Sequence, residues 1–350
     1  LRLEDERLRA RLQKLAHWTE DEFRRRAGWF AARRSGGFIR ECHGDLHLGN
    51  IVLLDEVPVP FDGIEFNPEL RFIDVASDVA FTVMDLVEHG LPRLAWRFLD
   101  RYLEATGDYD LLGGLRFYAV YRALVRAKVS IIRAHQPDTT EAQRRIASAA
   151  FLRDLSLAER LAEAPVPMLV TVGGLSGSGK TTVAGLLLEH LGAVRVRSDV
   201  ERKRLAGLAP EAHSGGRIYS QEMNRRTYDR LASLADAALR DGFSVVVDAA
   251  SLKAGERSAF RQLAGALGLP FRLLDVSAAA DTLARRVAER ASRSNDPSEA
   301  TAEVLSFQLA TREPLQPDEL PLAVHVDTDR PVYADTVVRA LLGDGPCGPD

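Results

Sequence analysis

The spacing of apolar positions changes character partway along the chain. Residues 1–34 are dense in Arg, Glu and Leu, and their narrow apolar stripe predicts an exposed helix. Residues 115–128 repeat apolar positions at helical intervals. A further helix is expected after Gln136 and Pro137, with Asp138 or Thr139 as its N-cap and an end near Ala162. The segment from Ala164 to Pro167 carries two prolines and stops that helix. From Met168 onward short apolar runs alternate with helix-periodic stretches, which predicts strands at 168–173, 193–197, 243–248, 271–276 and 323–327. These runs do not alternate strictly between apolar and polar, the pattern of strands buried on two faces. An α/β region with a parallel five-stranded sheet flanked by helices is therefore expected, preceded by a mainly helical region. The expected division is 1–163, 164–344 and a short tail at 345–350.

Composition narrows the class without naming a chemistry. The 350 residues are 46% hydrophobic and 27% charged, ordinary for a globular chain with room for two domains. A net charge of −4 gives no global basic field, so nucleic acid is not favoured as a partner. Cys42 and Cys347 are far apart and suggest neither a disulfide framework nor a thiolate metal site. Together with the lack of a signal peptide or membrane-length apolar run, this fits a cytoplasmic location. Oligomeric state is not legible.

The sharpest chemistry lies between the first of the five strands and the helix that follows it. Gly174, Leu175, Ser176, Gly177, Ser178, Gly179, Lys180 and Thr181 fit G-x-x-x-x-G-K-[ST], with Thr182 next. In that pattern glycines let backbone N–H groups converge on phosphate oxygens, the lysine reaches the β- and γ-phosphates, and the hydroxyl of Thr181 meets Mg²⁺. ATP and Mg²⁺ are the expected cofactors. Asp248 closes an apolar strand in the manner of a metal-holding carboxylate. Asp199 and Arg202 follow the second strand one helical turn apart, placed to converge on an incoming hydroxyl. Here the sequence resembles P-loop kinases of the nucleotide-kinase, gluconate-kinase and polynucleotide 5′-kinase type, over roughly residues 166–344. The resemblance implies that Asp199 serves as base toward the acceptor and that an arginine-bearing lid clamps phosphates. Arg285, Arg286, Arg290 and Arg293 stand where that lid belongs, with Arg286, Arg290 and Arg293 on one helical face. Asp296, Pro297 and Glu299 have the spacing of a helix start after the lid.

The first region carries a second kinase-like motif. His43, Asp45 and Asn50 keep the H-x-D-x-x-x-x-N spacing of a catalytic loop, in which the aspartate faces the substrate hydroxyl and the asparagine holds Mg²⁺. Asp62 ends a short apolar strand and is followed by Gly63, as a second metal-holding aspartate would be. With Gly44 and His47 these residues resemble the aminoglycoside phosphotransferase and choline kinase-like superfamily over roughly residues 36–135. That resemblance implies a protein-kinase-like C-terminal lobe with Asp78 bracing the loop. The family's N-terminal lobe, with its glycine-rich loop and strand lysine, has no counterpart before His43, where Lys14 is the sole lysine. The chain is expected to lack that lobe, and its start at Leu1 also suits a piece of a longer protein. Together the two parts are similar to a bacterial fusion of such a domain with a C-terminal P-loop ATPase or kinase.

These residues predict an ATP- and Mg²⁺-dependent phosphotransferase acting on a small-molecule hydroxyl through the second domain, with Lys180, Asp199, Arg202 and Arg290 as its catalytic groups. Asp45 joins them only if the first domain is active. Metal is expected at Thr181 and Asp248, and in the first domain at Asn50 and Asp62. An ATP-hydrolysing switch without an acceptor is one alternative. A polynucleotide 5′-hydroxyl kinase is another, favoured by Arg195, Arg197, Arg202, Lys203 and Arg204 beside Asp199. The complete phosphate loop further predicts that residues 165–350 bind nucleotide by themselves.

Overall fold

A computed structural model describes residues 6–343 apart from 211, 213, 215–217, 292–297 and 299. The chain forms two units, one from Leu1–Ala95 with Asp110–Pro165, the other from Trp96–Tyr109 with Val166–Asp350. The second unit thus takes a segment that the sequence division assigned to the first.

The first unit opens with α1 (Glu6–Arg25) and α2 (Ala27–Ser35). Leu8 and Leu15 form the buried stripe of α1, and Arg9, Gln13 and Lys14 between them face out. Two short antiparallel pairs follow, β1 (Ile39–Glu41) with β4 (Phe72–Asp74), and β2 (Ile51–Leu54) with β3 (Val57–Pro60), with the single-turn helix α3 (Pro68–Arg71) between the pairs. Helix α4 (Val75–Glu88) is buried over most of its length. After α5 (Pro92–Thr106) come the long helices α6 (Leu112–Ala134) and α7 (Glu141–Ala162), which pack along each other. The N-cap of α7 is Thr140, one residue beyond the expected Asp138 or Thr139. The Thr139 hydroxyl is spent on the Arg133 carbonyl at the end of α6, whereas Thr140 and Gln143 form a reciprocal capping box.

The second unit is a parallel sheet with strand order β6-β7-β5-β8-β9. Its strands and helices alternate as β5 (Leu169–Gly173), α8 (Lys180–Leu191), β6 (Val194–Arg197), α9 (Ser198–Leu205), α10 (Gln221–Arg240) and β7 (Val245–Asp248). They continue as α11 (Ala254–Ala266), β8 (Phe271–Ser277), α12 (Ala280–Ala291), α13 (Ala302–Thr311), β9 (Ala323–Asp327) and α14 (Ala334–Leu342). All five expected strands are present to within two residues at each end, because runs such as Val245-Val-Val-Asp248 have no amphipathic helical face and bury both sides. Val183 and Leu187 of α8, with Val337 and Leu341 of α14, cover Val170, Val172 and Leu274 on one face of the sheet. Helices α10 and α11 contact the strands as well, and Leu169 and Thr171, which alternate with those valines, are fully buried.

Strand β6 departs from this apolar rule. It reads Val-Arg-Val-Arg, yet all four residues are buried. Burying a guanidinium requires an ionic partner, and α5 supplies two. Arg195 binds both oxygens of Asp100 at 3.2 and 2.7 Å, and Arg197 donates to Glu104 at 3.2 Å. Trp96 and Phe243 meet edge to face beside them. The Trp96–Tyr109 segment is therefore structural to the sheet unit, although some sixty residues separate it from the first strand.

Candidate active site

At the carboxyl ends of the central strands the chain must leave β5 and enter α8 in a tight turn. Gly174 has φ of +145° and lies so close to β8 that a Cβ would come within 2.2 Å of the Val276 carbonyl oxygen. Gly177, at φ +83°, would meet the Leu283 carbonyl at 2.7 Å. Only glycine fits either place without moving backbone. The loop is then tied at several points. Ser176 N–H donates to Gln308 at 2.8 Å, Ser178 N–H to Leu175 O at 3.1 Å, and the Thr328 hydroxyl to Ser178 O at 2.8 Å.

Lys180 opens α8 and donates from Nζ to Leu175 O at 2.8 Å, folding back over its own loop. Burial lowers its ammonium from the ordinary lysine value, Asp248 and Asp199 oppose that shift, and Arg290 adds to it. Three other expected site residues, Asp248, Asp199 and Arg290, thus each lie within electrostatic reach of Lys180. Asp248 ends β7 in register with Val172 of β5 and Arg197 of β6. Its Oδ2 is buried without a hydrogen bond, and Arg197 Nε stands 3.5 Å away. A buried carboxylate oxygen with no N–H or O–H donor, one strand over from the β5 loop that leads into Thr181 of α8, is suited to a hard divalent cation or its water.

Beside the loop is a cavity of about 650 Å³, lined by Gly177, Gly179, Thr182, Arg286, Arg290 and Thr328 among others. Its size and its position at the N-terminus of α8 suit a nucleotide whose phosphates meet the backbone N–H groups there. Arg286 was expected as a phosphate clamp. Its guanidinium is engaged by Gly177 O at 3.2 Å and by the hydroxyl and carbonyl of Thr328 at 2.8 and 2.9 Å, so it braces the loop against the end of β9. Arg285 pairs with Glu289 on the exposed side of α12. Arg293, Asp296, Pro297 and Glu299 lie outside the described residues.

Asp199 and Arg202 sit in α9 as expected, but they converge first on each other, at 2.7 Å. Arg202 also donates to Asn224 of α10 at 3.1 Å and lies over the Tyr219 ring. The neighbouring basic residues do not form a basic face. Arg195 and Arg197 are buried against carboxylates, buried Lys203 donates to Pro210 O, and Arg204 donates to Glu104 O. Sequence reading missed Asp100 and Glu104. Their spacing held one hint, since like charges at i and i+4 on a solvent face repel, whereas here they share cations. Thr328 and Gln308 were also missed, Thr328 despite its place just beyond a strand end.

In the first unit the second motif forms a coherent loop. Gly44 N–H donates to both oxygens of Asp78 at 3.2 and 3.0 Å, and Arg122 donates to Gly44 O at 2.9 Å. Asn50 Nδ2 reaches the carbonyl and carboxylate of Asp45 at 3.0 and 3.3 Å. Phe61 N–H and Ile64 N–H donate to Asn50 O and His43 O, each at 2.9 Å, which brings Asp62, at φ +59°, alongside that loop. Asp85 accepts the Leu48 N–H at 2.7 Å and pairs with Arg126. Glu88 pairs with Arg126 and Arg153, so the Asp85, Glu88 and His89 cluster is already neutralised by arginine.

Comparison with known proteins covers the two units unequally. Residues 169–315 match the family described as an AAA domain. A Mycobacterium tuberculosis protein, Uncharacterized protein Rv2004c, is 32% identical over 307 residues, which is 86% of this chain and 59% of that protein. The chain thus spans under two thirds of the length of the curated relatives it matches. Among solved structures, an unliganded sugar kinase from Janibacter sp. HTCC2649 is 24% identical with a TM-score of 0.39, covering 51% of this chain and 93% of its own. The Mycobacterium tuberculosis APS kinase CysC, solved with AMPPNP and APS, is 23% identical with a TM-score of 0.39, covering 51% and 99%. Among the described residues no helix is long and apolar enough to cross a membrane. The second unit is a P-loop domain, its glycine loop, Lys180, Asp199 and Asp248 all lying inside the segment matched to the AAA domain family.

Proposed function

We propose that the second unit is an ATP- and Mg²⁺-dependent phosphotransferase whose acceptor is a hydroxyl of a small molecule. The observation that carries this reading is the buried Oδ2 of Asp248, without a hydrogen bond at the strand end next to β5, whose glycine loop Lys180 folds back over. Nucleotide phosphates would lie over the N-terminus of α8, where backbone N–H groups and Lys180 bind and orient them. Thr181 and Asp248 would hold Mg²⁺, which supplies neutralisation of the phosphate charge. Asp199 accepts the acceptor's hydroxyl proton while its oxygen attacks the γ-phosphorus and the bond to the β-phosphate bridging oxygen breaks. Arg202, already on Asp199 and Asn224, fixes the carboxylate's orientation, and Arg290 faces charge that develops on the transferring group.

For the first unit we propose the C-terminal lobe of an aminoglycoside phosphotransferase-like fold. The Gly44–Asp78 and Asp45–Asn50 bonds support the loop reading.

The test is labelled ATP offered with sugars, aminoglycosides, nucleosides and oligonucleotides in turn. Transfer to one small hydroxylated compound, abolished in Lys180→Ala, is the expected result. ATP hydrolysis at the same rate with every compound, and no labelled product, would replace the kinase reading with a hydrolytic switch.

A further inference from the structure

Two side chains hold the Leu175–Ser176 peptide group of the glycine loop, one at each end. Lys180 Nζ donates to Leu175 O at 2.8 Å, and Ser176 N–H donates to Gln308 Oε1 at 2.8 Å. Only the oxygen of the Gln308 amide accepts such a bond, so its Nε2 is left as a donor of fixed orientation. Among the described residues that Nε2 has no acceptor. The helix that carries Gln308 is itself pinned. Three residues earlier Leu305 is buried in an apolar cluster with Leu175, Leu283 and Val287, and four residues later Arg312 donates to Asp275 of β8 at 2.8 Å. These three positions share one face of α13, so the amide is presented by a rigid element rather than by a loop.

A trans peptide of standard dimensions between those two bonds puts Gln308 Oε1 within about 8 Å of Lys180 Nζ. That is close to the span of one phosphoryl group accepting hydrogen bonds on two of its oxygens. The lysine of such a loop reaches the β- and γ-phosphates, and charge in phosphoryl transfer spreads over the oxygens of the γ-group. We infer that Gln308 is a specificity-determining residue for the triphosphate: anchored through Oε1 on Ser176, it donates from Nε2 to an oxygen of the γ-phosphoryl group. A nucleoside diphosphate offers no such oxygen. The inference rests on the reading of residues 174–181 as the ATP phosphate site, and it extends that site to α13, which lies outside the loop motif.

The experiment measures, by calorimetry on the full chain with Mg²⁺ present, the Kd of ADP and the Kd of the non-hydrolysable triphosphate AMPPNP. Turnover is not the readout. The ratio of AMPPNP Kd to ADP Kd is expected to rise about tenfold in Gln308→Met, the scale of one hydrogen bond to a charged group. A change in loop shape from losing the Ser176 bond would weaken both nucleotides alike and cancel in that ratio. Gln308→Glu keeps an oxygen for Ser176 N–H and puts a negative charge in place of the donor, so its ratio should rise at least as far. Either variant tests the inference if the other does not fold. A ratio within about threefold of the parent value in either one would overturn it, whether the two nucleotides had weakened together or not at all. Lys180→Ala separates the two levels. If that variant binds both nucleotides as the parent does, the phosphate-site reading itself fails. If it loses both while the Gln308 variants keep the parent ratio, the γ-phosphate contact alone fails.

Discussion

Arg202 donates from Nη1 to Asp199 Oδ1 at 2.7 Å, and from Nη2 to Asn224 Oδ1 at 3.1 Å. The candidate base is thus oriented by a guanidinium that is itself anchored on a second helix, the arrangement of a base and its orienter. Asp199→Asn should keep ATP affinity and reduce phosphoryl transfer by about a hundredfold or more, the usual scale for a positioned base. Asp45→Asn, in the other unit, should leave transfer nearly unchanged. Assaying the two variants against one accepted substrate decides the matter, and a large loss confined to Asp45→Asn would move the active centre to the first unit.

Lys180 and Arg290 should separate binding from turnover. Lys180→Ala removes the cation that reaches from the loop, and most nucleotide binding should go with it in a titration by calorimetry. Arg290 lines the cavity from α12. If it meets charge only as the phosphoryl group transfers, Arg290→Ala should lower kcat by about a hundredfold with a smaller change in nucleotide affinity. An affinity loss at constant kcat would assign it to ground-state binding.

The fragment 165–350 should be poorly folded, contrary to the expectation that the phosphate loop makes it self-sufficient. Without Trp96–Tyr109 it leaves Arg195 and Arg197 buried and short of their α5 carboxylates. Removing one partner of such a pair costs about 3–5 kcal/mol. Urea unfolding of Asp100→Ala in the full chain measures that cost directly, and a loss below about 1 kcal/mol, the level of an exposed ion pair, would show the pair to be dispensable.

Asp154 gives the first unit a pH signature. Burial, and then the charge of Glu88, push its carboxyl up to about 6 from an ordinary 3.8. Because the fold favours the protonated form, its contribution to stability is complete below pH about 4 and is lost as pH rises through 6. Asp154→Asn should therefore gain on the parent in melting temperature as pH is raised from 4 to 7. Parallel profiles for parent and variant across that range would refute the shift.

The P-loop, the strand that precedes it, the helix that follows and all five strands of the sheet were legible in the sequence. Each is encoded by contiguous residues: apolar runs that bury both faces, glycines where backbone must approach backbone, and a lysine and threonine at a helix start. Legible too were Asp199 and Arg202 as a pair one turn apart, though not that they bind each other before any acceptor. The fate of the other arginines was settled only in three dimensions. Arg195 and Arg197 read as part of a basic cluster because their partners, Asp100 and Glu104, stand over ninety residues earlier in the chain. Arg286 read as a phosphate clamp because its tie to Thr328 spans forty-two residues. Periodicity and motif spacing report what a residue does to its own helix or strand, whereas the burial of a charge is decided by whichever distant group folding brings within hydrogen-bond reach.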